Sequence, residues 1–237
     1  VDLQRGEEMQ PSHLVRLACT LGLTTLVGCD DGPELNGDIL AIGDSLLDYH
    51  TPDADIATVA GTALGMAVDR EAVGGTTMLD EYSIADTYVN GGYTLLIASG
   101  GGNDLGGCVC GDSCDPVMDR LITADGTEGA IPELVYRALD DGLYVAWVGY
   151  MRPMPDAEEF SECGGELDVL RERLARLDAA EDNMVFVDGA RIGTGAEGEL
   201  YEPDGYHPSP EGCAAIGAEV ARRVDEAFVR TTTAEDD

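Results

Sequence analysis

The sequence contains no lysine. Its 13 basic residues are all arginine, against 47 aspartates and glutamates, which gives a net charge of −34 over 237 residues and a pI near 4.1. A surface of that sign repels phosphate backbones and anionic headgroups, so it argues against nucleic acid and acidic lipid surfaces as partners. No D-x-[DN]-x-[DN]-G loop occurs, and without one the carboxylates read as a solvated acidic face rather than as calcium ligands. The run Gly100-Gly101-Gly102 is followed by no lysine and has no G-x-G-x-x-G context, which excludes a phosphate cradle of either kind. Histidine is scarce, with only His13, His50 and His207. The cluster Cys108, Cys110, Cys114 therefore lacks the second cysteine pair or nearby histidines that a zinc site needs.

The chain also has no apolar run long enough to span a bilayer. The apolar stretch 17–27 follows His13 and Arg16 and has the length of a signal-peptide core. It runs into Leu26-Val27-Gly28-Cys29, which resembles a bacterial lipobox; the alternative is an ordinary signal peptide beside a chance cysteine. The expected organisation is a signal peptide over 1–28 with Met9 as initiator, then a lipidated Cys29 and a tether to residue 37. One domain follows over 38–230, and a disordered tail over 231–237. On this reading the protein is exported to a bacterial cell envelope, periplasmic or on the outer surface. It is held to the membrane by its N-terminal lipid and is a monomer. An oxidising compartment follows, so Cys108, Cys110 and Cys114 are expected in disulfides that staple their loop, with Cys163 as a partner. Cys213 is the cysteine left unpaired, at the start of the last helix.

From residue 38 onward, short apolar runs alternate with helical periodicity. Strands are expected at 39–42, 66–73, 94–98, 143–148 and 184–187, and helices at 54–64, 79–89, 116–122, 130–139, 167–177 and 210–228. This alternation means βαβ units and a parallel sheet, whose right-handed crossovers bring all strand C-termini to one edge. Trp147, inside a strand, reads as core. Tyr150-Met151-Arg152-Pro153, just past the same strand, reads as pocket lining.

Ser45, Gly75 and Asn103 each follow a strand end, where open α/β sheets place their ligands. Near the C-terminus stands Asp204-Gly205-Tyr206-His207. A carboxylate three residues before an imidazole can accept its Nδ1–H, which leaves Nε2 free to take a proton. In order along the chain come Gly43-Asp44-Ser45-Leu46, Val73-Gly74-Gly75-Thr76, Gly101-Gly102-Asn103-Asp104 and Asp204-Gly205-Tyr206-His207. With these four blocks the chain resembles the SGNH hydrolases of the GDSL esterase/lipase family. The resemblance implies a flavodoxin-like three-layer α/β/α sandwich of about five parallel strands. It implies Ser45 as nucleophile, His207 as base and Asp204 as the group that orients it. The oxyanion hole would be the N–H groups of Ser45 and Gly75 with the Asn103 amide, Gly74 being the alternative to Gly75. Asp44 and Asp104 are assigned local hydrogen bonding and His50 the surface or pocket rim. The implied activity is hydrolysis of small-molecule, lipid or carbohydrate esters, acetyl esters of sugars included, without metal or other cofactor. The alternatives are an acyltransferase on the same scaffold and a non-catalytic binding lipoprotein. For the anchor, the expected outcome is that Cys29→Ser abolishes the lipid-derived mass on the N-terminal fragment, as read by mass spectrometry of the expressed protein.

Overall fold

The computed structural model describes residues 38–108, 110, 114–157 and 159–229. The expected signal peptide, lipobox, tether and tail lie outside them. The strands are β1 (Ile39–Ile42), β2 (Val68–Arg70), β3 (Leu95–Ala98), β4 (Tyr144–Val148) and β5 (Met184–Val187). They form one parallel sheet in the order β2-β1-β3-β4-β5. The helices are α1 (Ser45–Asp48), α2 (Ile56–Leu64), α3 (Gly102–Gly106), α4 (Asp115–Leu121), α5 (Ala130–Asp140), α6 (Gly164–Ala180) and α7 (Pro210–Val224).

The strands β1, β3 and β5 are buried at every position because both faces of the sheet are covered. Leu40, Ile42, Leu96, Val145, Trp147 and Phe186 point to one face, packed with residues of α4, α5 and α6. Ile39, Ala41, Ile97, Ala146, Val185 and Val187 point to the other, packed with Ile56 and Ala60 of α2 and Ile216 and Val220 of α7. Each buried Val, Leu, Ile or Phe among them contributes roughly 1.5–3 kcal/mol, and each Ala less. β2 is one of the two edge strands and is shorter than the expected 66–73. Beyond Arg70 the chain stays beside β1 through Glu71 N–H to Ala41 O at 2.8 Å and Val73 N–H to Gly43 O at 2.9 Å. That continuation carries Gly74 and Gly75 up to the end of β1.

The expected helix at 79–89 is absent; only a 3₁₀ turn, Ile84–Thr87, forms there. Met78, Ile84 and Tyr88 bury in the core, but Met78 and Leu79 donate their N–H groups to Asp104 and Ile84 donates to Thr77 O, so this backbone is bonded across to other segments rather than up a helix. Tertiary contacts thus override local propensity. The last helix ends at Val224 rather than 228 and passes into a π turn, Asp225–Val229. Disulfides join Cys108 to Cys114 and Cys110 to Cys163, the second tying the segment after α3 to the start of α6, while Cys213 is buried and free. Among the described residues no helix is long and apolar enough to cross a membrane.

Helices α2 and α7 approach closely at Gly217, where a Cβ would stand 2.7 Å from Ile56 O and 2.7 Å from Val59 Cβ. Alanine there gains up to about 1 kcal/mol of helix propensity, but the carbonyl cannot yield without moving α2, and overpacking of this kind costs about 1–3 kcal/mol. Gly217→Ala is expected to lower the urea midpoint without changing the slope of the transition.

Candidate active site

β1 delivers Ser45. Asp44 caps α1, its Oδ1 accepting the Leu46 N–H at 3.0 Å, and Ser45 is the first residue of that helix. Gly43 lets the chain turn against the neighbouring strand end; a Cβ on it would meet Ser99 O at 2.9 Å. Asp44 is 1 % exposed, and burial raises its carboxyl above the usual range against hydrogen bonds from Tyr150 and Leu46 N–H that pull it down.

The loop before α7 delivers His207. Its Nε2 lies 2.8 Å from Ser45 Oγ, and its Nδ1 lies 2.7 Å from Asp204 Oδ2. Asp204 Oδ1 accepts the N–H groups of Tyr206 at 3.1 Å and His207 at 3.0 Å, so one carboxylate both orients the ring and shapes the turn. Burial pushes the Asp204 carboxyl up, but the hydrogen bonds from the His207 ring and the two N–H groups outweigh it and leave it below the ordinary value. The imidazole is stacked on Tyr49, ring centres 4.1 Å apart, and Tyr206 closes its other neighbourhood at 4.3 Å. His50 anchors the same loop from α1's end, its Nε2 3.2 Å from Pro208 O and 3.0 Å from Glu202 Oε1.

β3 delivers Asn103, on the first turn of α3. Its Nδ2 donates to Thr76 O at 2.8 Å, which occupies one of its two amide hydrogens. Asp104 accepts the N–H groups of Met78 at 2.9 Å and Leu79 at 3.0 Å, so α3 grips the segment that follows Gly75. Gly74 rests against Ser45, where a Cβ would lie 3.7 Å from Ser45 Cβ, and its N–H is taken by Asp48 Oδ2 at 3.0 Å. Among the described residues the Gly75 N–H has no such partner, and Gly75 has a left-handed backbone, φ +81°. Gly75 itself is exposed and does not line the cleft described next.

Ser45, Asn103 and His207 open onto one cleft of about 440 Å³. Leu46, Met151, Pro153, Phe160 and Leu167 make its apolar wall. Phe160 is held at φ +60°, an unfavourable backbone for a bulky residue, with its ring 5.3 Å from that of Tyr206. A neighbouring cavity of about 360 Å³ shares Tyr150, Met151, Pro153 and Leu167 with the cleft. Among the described residues no three His, Cys, Asp or Glu side chains gather as a metal site would require.

Of the residues singled out from sequence, the structure brings Ser45, His207, Asp204 and Asn103 together, with Gly74 at their side and Gly75 at the margin. Sequence reasoning did not find Tyr49 or Phe160 and reached Tyr150 only as pocket lining. Tyr150 carries a usable signal, since it follows the C-terminal end of a strand. Tyr49 and Phe160 carry none, because tertiary contacts alone bring them to the imidazole and the cleft.

No family model matches the chain, and no curated protein matches it. Solved structures do. A Slackia heliotrinireducens protein of SGNH-hydrolase designation superposes with a TM-score of 0.56 at 17% identity, covering 78% of this chain and 97% of its own. A GDSL-like lipase from Bacteroides thetaiotaomicron gives 0.57 at 15% identity, covering 80% and 88%. A carbohydrate esterase family 2 enzyme with a carbohydrate-binding domain, from Corynascus thermopiles, gives 0.55 at 16% identity, covering 84% and 68%.

The Asp104 clamp yields a stability test. Asp104→Ala strands two backbone N–H groups, one of them buried, and is expected to cost about 1–3 kcal/mol. Urea denaturation measures the loss, and amide exchange should quicken first at Met78 and Leu79.

Proposed function

We propose that this chain, which has the fold of the SGNH/GDSL hydrolases, is a serine ester hydrolase that works through an acyl-enzyme. The observation that carries the reading is the unbroken hydrogen-bond chain Ser45–His207–Asp204 at the edge of an apolar cleft. In the first half-reaction Ser45 Oγ attacks the ester carbonyl while His207 Nε2 takes the hydroxyl proton. Asp204 keeps the ring in the tautomer that leaves Nε2 unprotonated, then stabilises the imidazolium. The negative charge on the tetrahedral oxygen meets the second amide hydrogen of Asn103 and the N–H groups of Ser45 and Gly75. Gly75 suits this role better than Gly74, whose N–H already serves Asp48. Collapse expels the alcohol, which receives the proton from His207. Water then attacks the acyl-enzyme with His207 again as base, and Ser45 regains its proton as the acid leaves.

The small apolar wall beside Ser45 suits a short acyl group, acetyl included, and a carbohydrate alcohol is compatible with the open outer side. The proposed partners are therefore small or carbohydrate esters, with the membrane reached through lipidated Cys29 and the enzyme exposed to the cell envelope.

A fluorophosphonate probe and p-nitrophenyl acetate test the reading. The folded wild type should label and turn over; Ser45→Ala should abolish labelling, and either Ser45→Ala or His207→Ala should lower hydrolysis by at least about 10³-fold. Asn103→Ala should lower kcat about 10²–10³-fold with KM little changed, as for loss of one oxyanion donor. A folded wild type that neither labels nor hydrolyses overturns the assignment and favours the binding lipoprotein.

A further inference from the structure

Tyr150 stands two residues past the end of β4, and neither the nucleophile nor its base bonds to it. Its hydroxyl nevertheless makes two hydrogen bonds at once. It donates to Asp44 Oδ2 at 2.5 Å and accepts the Gly102 N–H at 2.9 Å. Asp44 is the residue before Ser45, and Gly102 is the residue before Asn103. One phenol thus spans the two strand ends, β1 and β3, that carry the nucleophile and the side-chain oxyanion donor.

Both anchor points are buried, where a hydrogen bond to a carboxylate is short and about twice as strong as a neutral one. The fit is mutual: a Cβ on Gly102 would stand 2.8 Å from Tyr150 Cζ and 3.1 Å from its hydroxyl, so only glycine admits the ring here. Burial, and after it the facing Asp44 carboxylate, push the phenol well above its ordinary value against hydrogen bonds with Gly102 and Ser99 that pull it down. Tyr150 forms part of the cleft wall together with Asp44 and Gly102, the two residues its hydroxyl joins.

We propose that Tyr150 is a positioning residue whose hydroxyl sets the distance between Ser45 Oγ and the Asn103 amide, and so the place of the oxyanion relative to the attacking oxygen. This rests on the reading of Ser45 as nucleophile and Asn103 as oxyanion donor. A displacement of about 1 Å between such groups costs on the order of 10²-fold in rate, and among the described residues no other side chain bonds to both Asp44 and Gly102.

The test is a double-mutant cycle on p-nitrophenyl acetate hydrolysis. Tyr150→Phe keeps the ring and removes only the bridge; it should lower kcat about 10–100-fold with KM within about twofold of wild type. In an Asn103→Ala background there is no amide left to place, so the same change should cost less than about threefold. Asp44→Asn leaves one acceptor oxygen where Leu46 N–H and the Tyr150 hydroxyl each use one, so it weakens the bridge from the other side and should move both results in the same direction, which covers the case in which Tyr150→Phe does not fold. Unchanged kcat overturns the inference. So does a loss of equal factor in both backgrounds, which marks a merely structural tyrosine, or a raised KM with kcat intact. A wild type that neither hydrolyses nor labels with fluorophosphonate brings down the hydrolase reading itself, and the positioning role with it.

Discussion

The pairing of β1 with β3, Ile42 opposite Ala98, is the constraint on which the upper edge of this sheet depends. The order β2-β1-β3-β4-β5 reverses direction at that pair: from β1 the chain crosses to β2 on one side, then returns to β3 on the other. The loops leaving β1 and β3 therefore diverge, and a crevice opens between them at the switch point. Ser45 and Asn103 stand on its two banks. The chain supplies His207 from much further on, through a loop that is closed on itself by Glu202 N–H to His207 O at 2.9 Å.

A crevice between diverging loops has no regular hydrogen-bond ladder to hold it, and this chain holds it with side chains. Asp48 takes Gly74, Asn103 takes Thr76, Asp104 takes Met78 and Leu79, and Tyr150 spans Asp44 and Gly102. Most of these partners are backbone groups, so each bond fixes a loop rather than a neighbouring side chain. The disulfide between Cys110 and Cys163 adds a covalent tie between the segment after α3 and the start of α6, beside the wall formed by Phe160 and Leu167.

The arginines tie other loops. In a chain of net charge −34 they could have been spent on neutralising the surface. Several also cap loop carbonyls: Arg137 donates to Ala85 O, Arg176 to Ala124 O while pairing with Glu172, and Arg173 to Ile122 O at 2.6 Å while pairing with Asp119. A planar fork of donors suits that double duty better than a single ammonium. Two tyrosines finish their burial on carboxylates, Tyr88 on Asp141 at 2.9 Å and Tyr93 on Asp69 at 3.0 Å, which gives part of the acidic excess a structural use.

The apolar runs at β1, β3, β4 and β5 were legible in the sequence because a strand buried on both faces must be continuously apolar, and the helices α2, α4, α5, α6 and α7 because their outer faces must be polar. The 79–89 segment was not, since its N–H groups at Leu79 and Ile84 are taken by Asp104 and by Thr77 O rather than by carbonyls one helical turn back, a choice made by tertiary contacts. Ser45, Asn103, Asp204 and His207 could be named from the string, for each sits beside a strand end or within a turn whose chemistry is local. What the string alone could not contain is their convergence, the choice of Asp48 as the partner of Gly74, and the reach of Tyr150 across two loops. Those are distances between residues far apart in the chain, and only the assembled sheet, by bringing every strand end to one edge, turns positions in a sequence into groups within hydrogen-bonding reach.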